Sequence, residues 1–181
     1  MFLQNRMQID KTVLSPFGLE NEMIPLLFKW FNSPQIYRFM GDIDQFPFTV
    51  DDARNYYLSH KKDTWLICDS DKETLTPIGY TGLFIRKRHS IGIFRIAIAE
   101  KEYQGKSHAR KATRMLLRWA FEECDLRNIH LSVSSSNENA ITLYERIGFK
   151  KCGCYQNSRY EDGQIFDEIL MEFPRELFKT L

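Results

Sequence analysis

The chain has 181 residues, of which 43% are apolar, 14% aromatic and 27% charged. That is the composition of one globular domain, not of a disordered tail or a disulfide scaffold. Twenty-five Lys and Arg stand against 24 Asp and Glu, a balance that argues against a nucleic-acid or anionic-membrane binder relying on whole-molecule charge.

No stretch approaches the ~18 consecutive apolar residues of a membrane span, and residues 1–11 carry no signal-peptide core. The expectation is a single cytoplasmic domain over residues 1–181, with no membrane and no nucleic-acid partner. A chain of this length buries roughly 70% of its unfolded surface, so it needs no metal or disulfide to fold. The spacings of Cys68, Cys124, Cys152, Cys154 and the four His predict reduced thiols and no metal site.

In chain order, Gln8 to Ser15 alternates like a strand. Glu22 to Phe31 has helical periodicity with Asn21 as its cap, and Thr49 with Asp51 and Asp52 opens a second helix to about Lys61. Trp65 to Asp69, Ile78 to Arg86 and Ser90 to Ala99 read as a meander of three strands, the first two separated by a polar loop from Ser70 to Pro77. A long amphipathic helix follows from Ala109 to about Cys124. Ile129 to Val133 is a short strand, and Asn137 caps a helix ending at Ile147 before a left-handed Gly148. Lys151 to Arg159 and Gln164 to Phe173 form a hairpin around Glu161-Asp162-Gly163. The fold class is α+β, a mixed α/β arrangement with a mostly antiparallel central sheet of about seven strands and about four helices.

Two segments carry chemistry. Between the strand ending near Ala99 and the next helix lies Gln104-Gly105-Lys106-Ser107-His108-Ala109-Arg110. A turn of small residues entering a helix aims backbone N–H groups and the positive end of the helix dipole at one point, as phosphate binding requires. Lys106, Arg110, Lys111, Arg114 and Arg118 add positive charge around it. The second segment runs from Ser134-Ser135-Ser136-Asn137 through Ala140, Leu143, Tyr144 and Glu145 to Gly148-Phe149.

Together these resemble the GNAT superfamily of acetyl-CoA-dependent N-acetyltransferases, with its Q/R-x-x-G-x-G/A loop followed by N-x-x-A-x-x-L-Y-E-x-x-G-F. Phe94-Arg95-Ile96-Ala97-Ile98, Trp119-Ala120-Phe121-Glu122-Glu123, and Asp162-Gly163 with Asp167-Glu168-Ile169-Leu170-Met171 are similar to one branch. It holds the RimJ and RimL ribosomal-protein N-terminal acetyltransferases and spermidine N-acetyltransferase. Leu27 to Pro34 and Phe39-Met40-Gly41 fit that branch more loosely. One position departs from the pattern: Ser107 stands where the family loop has Gly, and there either its Cβ crowds a pyrophosphate or its hydroxyl donates to the phosphate.

The resemblance implies that the fourth and fifth strands, ending at Ala99 and Val133, splay to admit acetyl-CoA as cosubstrate. Its pantetheine arm would pair with the backbone of Ile96 to Ile98, Ala97 included. Loop N–H groups from Gln104 through Gly105, Lys106, Ser107 and His108 to Ala109 and Arg110 would hold the pyrophosphate, and Asn137 would bond the pantetheine or cap its helix, or do both. Tyr144 would give a proton to the departing CoA thiolate, a role it disputes with that of a core aromatic. No general base carries over, since Ile93 occupies the strand position that bears a Glu in related enzymes, and Glu100, Glu102 and Asp167 remain candidates.

The function implied is direct acetyl transfer to a primary amine, either a polyamine or a protein or peptide N-terminus. An acyl-CoA sensor without turnover and an amino-sugar acetyltransferase are the alternatives, and a homodimer stays open. Two acidic stretches without Lys or Arg, over residues 42–53 and 160–174, either attract a cationic acceptor or are solvated turns and helix N-termini where Asp and Glu are favoured anyway. Asp42, Asp44, Asp51 and Asp52 form one acidic stretch, and Glu161, Asp162, Asp167, Glu168 and Glu172 form another.

Overall fold

The structure, a computed structural model, describes residues 5–39, 46–70 and 74–178. Its first strands are β1 (Met7–Ile9) and β2 (Thr12–Pro16), paired antiparallel with Ile9 opposite Thr12. The single strand expected over Gln8 to Ser15 is therefore a hairpin. Asp10 takes a positive φ of 50° and, with Lys11, reverses the chain between the two strands.

Helix α1 (Glu20–Phe31) buries Met23, Ile24, Leu27, Trp30 and Phe31 on one stripe. Leu19, not Asn21, is its N-cap and makes no side-chain cap, so Asn21 lies inside the first turn. After the short α2 (Pro34–Tyr37), α3 (Val50–His60) starts as its sequence predicts. Thr49 Oγ1 accepts from Asp52 N, and the Asp52 carboxylate accepts from Thr49 N at 2.8 Å.

Then come β3 (Thr64–Asp69), β4 (Thr76–Arg86), β5 (Ile91–Ile98) and α4 (His108–Glu122). Residues 71–73 of the expected polar loop lie outside the described residues. The second half of the chain gives β6 (Asn128–Ser134), α5 (Glu138–Ile147), β7 (Lys150–Glu161), β8 (Gln164–Pro174) and α6 (Arg175–Phe178). The β7–β8 loop is the two residues Asp162 and Gly163, both at positive φ as a type I′ hairpin requires, and Glu161 itself pairs with Gln164.

The described residues thus form eight strands and six α-helices, a mixed α/β sheet of order β1-β2-β3-β4-β5-β6-β8-β7. The strand beyond the expected seven comes from the split of the first one, and the additional helices are the short α2 and α6. Most neighbours pair antiparallel, but β5 and β6 pair in parallel. No described helix is long and apolar enough to cross a membrane.

Two compact units divide the chain, Met1–Gly82 with Ile96–Met115, and Leu83–Arg95 with Leu116–Leu181. In the first, Phe31 is the centre of the core, edge-on to Phe48, Tyr56 and Tyr80 at 5.0, 4.7 and 5.6 Å between ring centroids. In the second, Phe149 and Phe173 stack edge to face at 5.3 Å, with Phe121 5.9 Å from Phe173 and Phe94 6.2 Å from Phe149.

Candidate active site

Ile96 to Ile98 and Gln104 to Arg110 belong to the first unit, Asn137 and Tyr144 to the second. The loop after β5 is shaped by two left-handed residues. Gly105 has φ +73° and nothing within 4 Å of where a Cβ would stand, so its backbone face is open to a ligand. Ser107 has φ +67°, a conformation that costs a non-glycine residue about 1 kcal/mol or more. That gives the family's Gly a backbone reason beside the steric one.

Ser107 O accepts from Lys111 N at 3.1 Å and so opens α4, whose first N–H groups carry the positive end of a 15-residue helix dipole. Lys106 Nζ lies 5.4 Å from the centre of the Tyr103 ring, and Lys111 Nζ pairs with Asp10 Oδ2 at 3.0 Å. With Lys11, Asp69 and His108 these residues line a partly open hollow of about 330 Å³. His108 points inward, its Nδ1 3.0 Å from Thr12 Oγ1. Burial pulls its pKa down, against an opposing pull from Asp69.

Strand β5 is pressed against β4 at one point. A Cβ on Gly79 would stand 2.1 Å from Ala97 O, so the Ala97 carbonyl turns toward β4. By alternation, the backbone groups of Ile96 and Ile98 turn away from it. Gln104 Nε2 donates to Ile98 O at 3.0 Å, a tie six residues long that the motif does not announce. Just beyond the strand, Glu100 Oε1 accepts from Lys29 Nζ at 2.6 Å and Trp30 Nε1 at 2.8 Å. Partial burial pushes its carboxyl up, but these donors and the Lys29 charge outweigh it and hold the pKa below the ordinary value.

In the second unit, Asn137 Oδ1 accepts from Ala140 N at 3.2 Å and caps α5, while Gly148 closes the helix at φ +119°. Tyr144 is 6% exposed, edge-on to Phe94 at 6.2 Å and 5.6 Å from Phe149. Its hydroxyl has no hydrogen-bond partner among the described residues. Burial alone raises its pKa, so the group stays protonated.

The serines before Asn137 are tied to the last hairpin. Ser135 N donates to Asp167 O at 2.9 Å, and Ser136 Oγ donates to Glu161 Oε2 at 2.5 Å. The parallel β5–β6 pairing consists of Ile91 with Asn128, Gly92 with Ile129, and Ile93 with His130.

The acidic stretches are largely spoken for. Asp42 and Asp44 lie outside the described residues. Asp51 pairs with Arg54 at 2.9 Å, and Asp52 serves the α3 cap. Glu161 is 3% exposed and 3.6 Å from Arg159, Glu168 accepts from Ser132 at 2.8 Å, Asp167 accepts from Asn157 N at 2.9 Å, and Glu172 accepts from Asn128 at 2.8 Å. The partner charge, Arg159, sits one residue outside the stretch that looked free of cations. The buried thiols are no nucleophiles either: burial pushes Cys68 up to about 11 and Cys124 to about 12.

Residues 12–150 match the family described as "Acetyltransferase (GNAT) domain". The chain belongs to this family. It is 24% identical over 184 residues to an N-acetyltransferase 9-like protein of Caenorhabditis briggsae, covering 94% of this chain and 86% of the relative. It is 31% identical over 104 residues to the spermidine N(1)-acetyltransferase of Escherichia coli, covering 58% of this chain and 53% of the relative. The chain thus aligns with about half the length of that enzyme.

Among solved structures it resembles spermidine N-acetyltransferase from Vibrio cholerae in complex with CoA and spermine. The TM-score is 0.79 and the identity 25%, over 93% of this chain and 98% of that one. The mixed α/β fold is therefore the GNAT fold, and the enzyme class is acetyl-CoA-dependent N-acetyltransferase. The loop from Gln104 to Arg110, with open space at Gly105 and lysines beside a helix N-terminus, fits the cosubstrate's anionic pyrophosphate.

Proposed function

We propose that the chain transfers acetyl from acetyl-CoA to a primary amine of a polyamine or a basic peptide N-terminus, by direct attack in a ternary complex. The observation that carries this reading is the likeness, along nearly the whole of both chains, to an acetyltransferase solved with CoA and spermine. The raised thiol pKa values support direct attack, because a covalent acetyl-enzyme would need a thiolate.

In this reading the backbone of Ile96 and Ile98 receives the pantetheine arm as an added strand edge, whereas Ala97, expected to take part, turns its carbonyl toward β4 and only spaces the two. The N–H groups of Gln104, Gly105, Lys106, Ser107, His108, Ala109 and Arg110 receive the pyrophosphate. Asn137 keeps its capping bond to Ala140 N and offers its amide to the pantetheine.

Tyr144 donates to the thiolate as the C–S bond breaks. Burial raises the Tyr144 pKa, so the phenol is protonated and available as the donor.

The test is thiol release from acetyl-CoA with spermidine, a basic N-terminal peptide and an amino sugar as acceptors. Turnover with either cationic amine is expected, with kcat reduced about 10²-fold in Tyr144→Phe and acetyl-CoA affinity nearly unchanged. Binding of acetyl-CoA without turnover on any amine overturns the enzymatic reading, and an unimpaired Tyr144→Phe returns that residue to the core.

A further inference from the structure

We propose that His130 is the general base that takes the proton from the acceptor amine, an assignment that rests on the acetyl-transfer reading above. An alkylammonium near pKa 10 must lose a proton before its nitrogen can attack a thioester. Glu100 is held ionised by Lys29 and Trp30, and Asp167 is occupied by Asn157 N. The second unit offers a different group.

Along β6, Ile129, Leu131 and Val133 are buried, while Asn128, His130 and Ser132 occupy the opposite, more open face. Both neighbouring strands add to that face at the level of His130. Ile93 of β5, 37% exposed, registers opposite it in the last of the three parallel pairs, and Glu172 of β8 registers opposite it on the other side.

Glu172 already accepts from Asn128 and Glu168 from Ser132, each at 2.8 Å. The His130 ring nitrogens have no hydrogen-bond partner among the described residues. Among the described residues of this face, His130 offers an imidazole nitrogen that can accept a proton. The charged groups facing it are Glu172 and Glu168 from β8, Arg95 two residues beyond Ile93 on β5, and Lys150 of β7, which registers opposite Glu172.

The arrangement places donor and acceptor of protons on opposite faces of β5 at Ile93 and Phe94. Phe94, next to Ile93, is buried and meets the Tyr144 ring edge-on. Tyr144 therefore lies on the Phe94 side and His130 on the Ile93 side. The ammonium proton passes to the imidazole and on to solvent. The C–N bond then forms and the C–S bond breaks. The thiolate takes the Tyr144 proton, and the tyrosinate is restored by the proton that the new amide nitrogen sheds.

The experiment compares the full chain with its His130→Gln variant from pH 6.5 to 9.5, using spermidine and a basic N-terminal peptide as acceptors. Acetyl-CoA binding is followed separately by thermal shift. A kcat about 10²-fold lower at pH 7 is expected, with the deficit shrinking toward pH 9.5 as the free amine fraction grows, and with an unchanged acetyl-CoA shift. A purely structural role would lower kcat by one factor at every pH. Full activity in His130→Gln, or a deficit independent of pH, overturns the assignment and leaves acetyl transfer standing. A wild-type chain that neither binds acetyl-CoA nor releases thiol overturns both.

Discussion

Ser107 concentrates two opposing demands in one residue. At φ +67° its side chain is strained, and a glycine there would relieve about 1–2 kcal/mol while adding about 0.5–1 kcal/mol of unfolded-chain entropy. Ser107→Gly is therefore expected to raise the melting temperature by ~2–4 °C and to tighten acetyl-CoA binding, measured by calorimetry. A lower melting temperature would show that the Ser107 hydroxyl contributes more than its backbone costs.

His108 makes a second residue-scale prediction. Its pKa is depressed by burial, so the unfolded chain binds its proton more readily. The stabilisation is present above the ordinary histidine pKa of about 6.5 and is lost as pH falls from there through the folded value. Wild-type protein should lose more melting temperature between pH 7.5 and 5.5 than His108→Gln does, and equal losses would remove His108 from the account.

At the scale of elements, β4 and β5 are locked by an absent side chain. An Ala at position 79 would bring its Cβ to 2.1 Å from Ala97 O and 2.9 Å from Ile98 Cα, both backbone atoms that no rotamer change can move. Gly79→Ala should cost about 3 kcal/mol, the upper range of overpacking, read from the urea midpoint. It should also weaken acetyl-CoA binding, because Ile96 to Ile98 would shift with the clash. A loss under about 1 kcal/mol would mean that the two strands can part freely. α5 and the last hairpin are joined differently, by hydroxyl-to-carboxylate and backbone bonds. Ser136 reaches Glu161 and Ser135 reaches Asp167, so the segment carrying Asn137 is positioned by a hairpin tip 25 or more residues away.

At the scale of the whole molecule, a ligand that binds only the folded chain stabilises it by about 2.7 kcal/mol at one hundred times its Kd. Saturating acetyl-CoA should then raise the melting temperature by ~5–10 °C, and no shift with any acyl-CoA would defeat the cosubstrate assignment. Local patterns already specified much of this molecule. The Thr49 and Asn137 caps, the left-handed Gly148, the Asp162-Gly163 turn and the α4 stripe all stand as read, because each depends on residues within about four positions of one another. The Gln104 to Ala109 loop and the Asn137 to Phe149 segment were legible for the same reason, being continuous in the chain.

What the tertiary structure alone decided joins residues far apart. It inserted β8 between β6 and β7. It gave the acidic residues of the last strands partners such as Arg159 and Asn128, and it set His130 opposite Ile93 and Glu172. Strand register and buried charge pairing are settled by which surfaces pack together, and that information is not carried by any short window of sequence.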